Sequence, residues 1–318
     1  MNRPSFRQEP RKTPGKWIAP ALLKAFAQSG TTAHRLYSSS DAWVERFGED
    51  LLLSYKNEEA RDAVLAEWPD WNAAQALNPR RIFGKHLPEK NEDRAAPVLI
   101  EGDASAPIET VVEENGMRFS LDFAAGYSAG LFIDQRANRA LVRKRGFKRL
   151  LNTFAYTCSF SVAAALSGAQ TVSVDLSRKS LDRGEENFKL NGLDPSPAGG
   201  HRFYADDVMD SLPRLARKGE VFDAIILDPP TFSRGNKGRK FQVERDFEEL
   251  LLAALEVAAP NANILLSTNC TRLNRRALEG IGRFTLKATR RAADFQAEPP
   301  LPDFPPDAGA QTLWMLLK

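Results

Sequence analysis

The sequence predicts an α/β chain: a doubly wound, largely parallel sheet preceded by a small N-terminal α+β domain. Three observations carry this expectation. Strand-like and helix-like segments take turns beyond Gly130, the pattern of a sheet with crossover helices. Four of those strands end near a polar residue, which is where open α/β sheets bind their ligands. At 318 residues the chain has room for one large core and one smaller one.

The elements follow in order. Residues 1–30 open with Arg3, Arg7, Arg11, Lys12 and Lys16 against Glu9 alone. They are expected to form a basic, loosely attached tail with weak helical character from Ala21 to Ala27. Residues 31–125 are assigned to the small domain. In it Asp50 to Tyr55 reads as a strand, and Asn57 to Trp68 as a helix with Ala60, Val64 and Leu65 on one face. Residues 86–105 are charged and aperiodic and are expected to be a loop. Asn115-Gly116, flanked by Val111 to Glu114 and Met117 to Ser120, is a strong hairpin signal.

Residues 126–318 form the large domain. Strands are expected at Arg149 to Phe154, Ala169 to Asp175, Arg202 to Tyr204, Val221 to Leu227, Ala262 to Ser267 and Gln311 to Leu317. Helices are expected from Phe160 to Leu166, from a Ser177 cap to Leu190 before Asn191-Gly192, and from Phe247 to Ala258.

The net charge is +3, so the total does not argue for a nucleic-acid partner. The distribution says more. Besides the N-terminal group there is Arg234, Lys237, Arg239 and Lys240, and a third group from Arg272 to Arg291. The two cysteines, Cys158 and Cys270, and the histidines, His34, His86 and His201, have no metal-ligand spacing, so no metal is expected. Low cysteine use and the lack of an apolar leader or spanning segment point to the cytoplasm.

Candidate site residues cluster at the strand ends. Asp228-Pro229-Pro230-Thr231-Phe232 places a carboxylate, rigid backbone and an aromatic face where a planar base could be held edge-on. Asp175 follows the first βα turn by about twenty residues, the position of an acid on ribose hydroxyls. That turn, Tyr156-Thr157-Cys158-Ser159, is not the glycine pattern a pyrophosphate needs. A nucleoside without phosphates fits better, and S-adenosylmethionine is one. Asp207, at the third strand exit, is positioned to accept from an adenine amine. Each acid has a plainer reading as a helix cap.

At this point the chain resembles a known family. Gly130 to Arg136, Asn152 to Thr157, Ser173 to Ser177 and Asp228 to Phe232 recur in this order in the class I S-adenosylmethionine-dependent methyltransferases of large-subunit ribosomal RNA. That group contains the 23S cytosine-5 enzyme and the related guanine-N7 module. The similarity runs from about residue 31 to the C-terminus and includes Glu114-Asn115-Gly116 and Pro302-Asp303-Phe304-Pro305. It implies a Rossmann-like methyltransferase sheet, S-adenosylmethionine as cofactor and RNA as partner. Phe154, Tyr156, Thr157, Asp175 and Ser177 would line the cofactor site, with Asp207 on the adenine. Asp134, Gln135 and Arg136 would form a lid between domains, and Asp228, Pro229 and Phe232 the target-base pocket. The chain departs from the family in lacking a PUA domain, in Ser128-Ala129 for Lys-Thr, and in Cys158-Ser159 for a glycine pair.

Two chemistries fit. Cys270, in Ser267-Thr268-Asn269-Cys270-Thr271, stands about where cytosine-5 members carry a nucleophile. Thiolate addition at C6 turns C5 into a carbon able to attack a methyl group, and Arg272 is placed to favour the thiolate. If Cys270 is merely a small buried residue, a base nitrogen is the target and Asp228 and Phe232 need only position it. The cysteine route is favoured because Cys270 lies at a strand exit that should face Asp228. Outside this chemistry the alternatives are a small-molecule or protein methyltransferase and a non-catalytic RNA-binding assembly factor.

Overall fold

The computed structural model describes residues 15–87, 95–235, 238–306 and 308–318. The chain divides into two compact units. The first comprises, among the described residues, 15–28, 32–110 and 122–129. Its sheet runs in the order β1 (Lys16–Trp17), β2 (Ala33–Ser38), β3 (Ala42–Phe47), β4 (Asp50–Tyr55), β5 (Arg81–His86), β6 (Val98–Gly102). Neighbouring strands are antiparallel except β4 and β5. The parallel pair is bridged by a helix, as a crossover requires; α1 (Pro20–Gln28) precedes it and α2 (Glu58–Gln75) supplies it.

Asn57 caps α2 by accepting from the Ala60 amide, and Val64 and Trp68 are its buried face. The helix runs on through Pro69, beyond the end expected at Trp68. A proline removes one helical hydrogen bond, and an aromatic cluster offsets the loss. Trp17 stacks on Trp71 at 4.6 Å, lies 5.8 Å from Trp68, and donates to Glu67 at 2.9 Å. From Lys16 onward the expected loose tail is therefore a sheet edge and part of a core that also takes in Ile18 and Leu23. Its first cations, Arg3, Arg7, Arg11 and Lys12, lie outside the described residues. The expected loop over 86–105 contains β6, whose mostly exposed side chains hid the strand from a reading based on apolar alternation.

The second unit comprises 29–31, 111–121 and 130–318. The hairpin of β7 (Glu109–Glu114) and β8 (Met117–Asp122) turns through Asn115 and Gly116, at φ 51° and 72°. Both central residues at positive φ make the turn type that matches strand twist, as the Asn-Gly pair predicts. The hairpin tip belongs with the large unit and not with the small domain where the sequence put it. The Ser120 amide donates to Asn187 at 2.8 Å, and Glu114 is buried against Arg139, which donates through Nε at 2.7 Å and Nη2 at 2.5 Å.

The large sheet combines β9 (Arg149–Thr153), β10 (Gln170–Asp175), β11 (His201–Ala205), β12 (Phe222–Leu227), β15 (Ala258–Thr268), β16 (Ala293–Gln296) and β17 (Gln311–Leu317) in the order 11-10-9-12-15-17-16. The first five are parallel; β17 and β16 are antiparallel additions. A small hairpin, β13 (Phe232–Arg234) with β14 (Lys240–Gln242), follows β12. Leu151, Val172, Val174, Ile225 and Leu266 pack on one face with residues of α6 (Val208–Arg217), α7 (Val243–Leu255) and α8 (Arg275–Thr289). The opposite face meets α4 (Ser159–Ala165), where Ser161 hydrogen-bonds Asn152 and Ser173 at 3.0 and 2.8 Å. α3 (Arg136–Arg145) and α5 (Arg178–Leu190) complete that layer. The predicted doubly wound sheet is present. Its register sets Thr153 level with Val174 and Leu227, and Leu227 level with Leu266. Asp175, Asp228 and Ser267 thus follow at one carboxyl edge.

Candidate active site

Asp175 organises the first βα turn. Its Oδ2 accepts from the Tyr156 amide at 2.9 Å and its Oδ1 from the Ser177 amide at 2.8 Å. Burial pushes this carboxyl above its ordinary value, and the two amides oppose that effect. The turn they hold is strained. Phe154, Tyr156 and Cys158 alternate in the left-handed region, at φ 51°, 48° and 60°, each costing about 1 kcal/mol or more for a residue with a Cβ. Cys158 takes the conformation a glycine would adopt more readily. Room for its thiol comes from Gly184 on α5, where a Cβ would stand 2.5 Å from Sγ. Burial pushes the Cys158 thiol up to about 12, so it is no nucleophile.

Thr157 and Ser177 have structural duties. The Thr157 hydroxyl donates to the Gly130 carbonyl at 2.6 Å, and Ser177 caps α5 through the Ser180 amide at 3.1 Å. Phe154 packs at 5.6 Å against Phe241. Tyr156 meets Phe132 at 5.4 Å, and both Phe132 and Leu176 expose apolar surface. An acid on the strand end with exposed apolar groups in the adjoining segments suits a nucleoside with an apolar face and ribose hydroxyls. Phe132 belongs to the Gly130 to Arg136 segment, but no periodicity in the sequence marked it.

Asp207 is expected either on an adenine amine or as a helix cap. It caps α6 by accepting from Met209 at 2.9 Å, and its Oδ2 lies where a Cβ on Gly235 would approach to 2.0 Å. Its capping bond fits the plainer reading, and Gly235 approaches its second oxygen.

Asp228 sits beside Gln135, whose Nε2 donates to Asp228 Oδ2 at 3.3 Å and to Ser267 Oγ at 2.8 Å. Burial pushes its carboxyl up to about 6; Asp134 adds to the rise, and Ser267, Arg139 and Gln135 oppose it. Pro229 is buried, whereas Phe232, which begins the β13–β14 hairpin, is 52% exposed. A half-exposed aromatic side chain offers a surface for stacking. Arg234, Arg239 and Lys240 on the same hairpin are exposed, Arg239 pairing with Asp210 at 3.2 Å. Lys237 lies outside the described residues.

Asp134, Gln135 and Arg136 do not share one task. Asp134 accepts from the Ala310 amide at 2.8 Å, and Arg136 forms a buried ion pair with Asp303. These two tether the Pro-rich segment, and Gln135 serves Asp228. Arg136 therefore has its charge engaged with Asp303 within the fold.

Cys270 is 4% exposed. Its Sγ lies 3.2 Å from Glu244 Oε1, and Arg272 Nη1 lies 3.2 Å from Glu244 Oε2. The sequence suggested Arg272 acting directly on the thiol. A carboxylate stands between them instead. Glu244 lies in the first turn of α7, three residues before the helix start expected at Phe247 from the apolar pattern, which is why it was missed. Among the described residues no group of three His, Cys, Asp or Glu could hold a metal, and no helix is long and apolar enough to cross a membrane.

The YwbD protein of Bacillus subtilis (strain 168), carried under a ribosomal RNA large subunit methyltransferase name, is 32% identical over 295 residues, covering 90% of this chain and 73% of that one. The ribosomal RNA large subunit methyltransferase I of Cronobacter sakazakii is 34% identical over 238 residues, covering 72% of this chain but 57% of its own length. In structure, SMU.776, a methyltransferase complexed with SAH, superposes with a TM-score of 0.78 at 26% identity, over 94% of this chain and 78% of that one. The model of the S-adenosylmethionine-dependent methyltransferases matches residues 49–316, and the chain belongs to that family.

Proposed function

We propose that this methyltransferase modifies a base of RNA, within large-subunit ribosomal RNA, and that the target is cytosine C5 with Cys270 as nucleophile. The observation that carries the reading is the Cys270–Glu244 contact of 3.2 Å, with Cys270 two residues beyond the strand that neighbours the one ending just before Asp228. When bound, S-adenosylmethionine supplies an electrophilic methyl group on a sulfonium. Asp175, already holding Tyr156 and Ser177, keeps lone pairs for ribose hydroxyls. Phe232 offers its exposed ring to the target base, and Asp228 accepts from the base's amine edge. Glu244 takes the thiol proton, Cys270 Sγ adds to C6, and C5, now the nucleophile, takes the methyl group as its bond to the sulfonium sulfur breaks and S-adenosylhomocysteine leaves. Loss of the C5 proton to water then lets the C6–S bond break, and the thiolate recovers its proton from Glu244. Arg234, Arg239 and Lys240 flank Phe232 and suit phosphates.

A base nitrogen is the second reading. It is favoured by the burial of Cys270 as a small core residue and by the exposed Asn269 amide next to it. The experiment that separates them uses ribosomal RNA from a deletion strain, with and without 5-fluorocytidine. Carbon methylation predicts an inactive Cys270→Ala enzyme and a trapped covalent complex on fluorinated RNA with the wild type. An active Cys270→Ala enzyme decides for nitrogen.

A further inference from the structure

A chain of buried hydrogen bonds leads from the last strand to Asp228. Trp314 Nε1 donates to Asn138 Oδ1 at 2.9 Å, Asn138 Nδ2 donates to Gln135 Oε1 at 2.9 Å, and Gln135 Nε2 reaches Ser267 Oγ at 2.8 Å and Asp228 Oδ2 at 3.3 Å. Trp314, Asn138, Gln135 and Ser267 are 0%, 3%, 2% and 0% exposed, so water does not repair a mismatch at any link.

The direction of this chain is not a free choice. An indole N–H donates and cannot accept. It therefore obliges Asn138 to turn its oxygen toward Trp314 and its nitrogen toward Gln135. Asn138 in turn obliges Gln135 to offer its nitrogen to Ser267 and Asp228. Side-chain amides are ordinarily assigned from their neighbours, and here the assignment starts from the one group that has no alternative. The Ser267 oxygen accepts from Gln135, which leaves its own hydrogen for Asp228, a contact that favours the ionised carboxyl.

We infer that Trp314 and Asn138 are positioning residues for the target-base pocket: through Gln135 they hold Asp228 as a hydrogen-bond acceptor, so that the bound base must present it an N–H group. The inference rests on the reading of Asp228 as the base-holding residue. The amine of cytosine and the amine and ring N–H of guanine satisfy it. Asp134, in the turn before α3, and Arg139, on α3, also face Asp228 and act in opposite directions; neither is touched by the substitutions below.

The test is carbon-13 NMR titration of the Asp228 carboxyl in aspartate-labelled protein, assigned with Asp228→Asn, together with kcat/KM against pH on ribosomal RNA from a deletion strain. Trp314→Phe keeps the ring and removes the N–H, freeing both amides to turn. Asp228 then loses the Gln135 donor while keeping Ser267, and its titration midpoint and the acid limb of kcat/KM should both move up by about half to one pH unit. Asn138→Leu, which keeps the indole, should do the same. If Trp314 were merely packing, melting would fall and the midpoint would stay where it is; that result overturns the relay. Failure of the base-holding reading looks different: Asp228→Asn would methylate RNA with unchanged kcat/KM while the Trp314→Phe midpoint still moved.

Discussion

Asp228→Asn should stabilise the protein while impairing its chemistry. The carboxyl lies at about 6 in the fold against an ordinary value of 3.8, because burial disfavours its charge. For an acid raised in this way the native state holds its proton more tightly than the unfolded chain does. Stability therefore falls as pH rises from 3.8 towards 6 and carries the full penalty above that window. The difference corresponds to about 3 kcal/mol at pH 8 as an upper bound, and to about 0.6 kcal/mol at pH 4. Asp228 keeps some contact with solvent, so a gain nearer ~2 kcal/mol is expected. The neutral amide still accepts from Gln135 through its oxygen, so the local hydrogen bonding survives. Urea denaturation of wild type and variant at both pH values measures the effect. A variant equally stable at pH 8, or a difference that does not shrink at pH 4, would refute burial as the cause.

Asp175→Ala removes the carboxylate from the ribose position and should weaken S-adenosylmethionine binding by roughly 1.5–3 kcal/mol in calorimetry; unchanged affinity in a folded variant would sink the assignment. Phe232→Ala should weaken RNA methylation by about 1–3 kcal/mol in kcat/KM and leave cofactor affinity alone, because the ring projects into solvent; an equal loss of cofactor binding would mark it as structural. Glu114→Ala leaves Arg139 buried without its partner, and about 3–5 kcal/mol of stability should be lost in denaturant unfolding; a loss under ~1 kcal/mol would show that the remaining partners of Arg139 suffice.

Much of the frame was legible in the chain itself. Asn115-Gly116 specified its turn because few other residue pairs adopt positive φ twice in succession. The strands ending at Asp175 and Asp228 were legible because buried parallel strands are apolar runs, and a sheet's carboxyl edge comes immediately after them. Cys270 was visible as a cysteine at a strand exit. What the sequence could not disclose was the choice of polar partners. α3 buries Arg136, Asn138 and Arg139 with Val142 as the one apolar residue among them, so its inward face carries little of the apolar periodicity by which helices are recognised. Those residues find Asp303, Trp314 and Glu114, and Asn138 lies 176 positions from Trp314. Asp207 turned to helix capping, and a carboxylate came between Arg272 and Cys270. Apolar burial is non-directional and leaves a local pattern in the sequence. A buried hydrogen bond needs one particular donor aimed at one particular acceptor, and the tertiary structure alone decides which two meet.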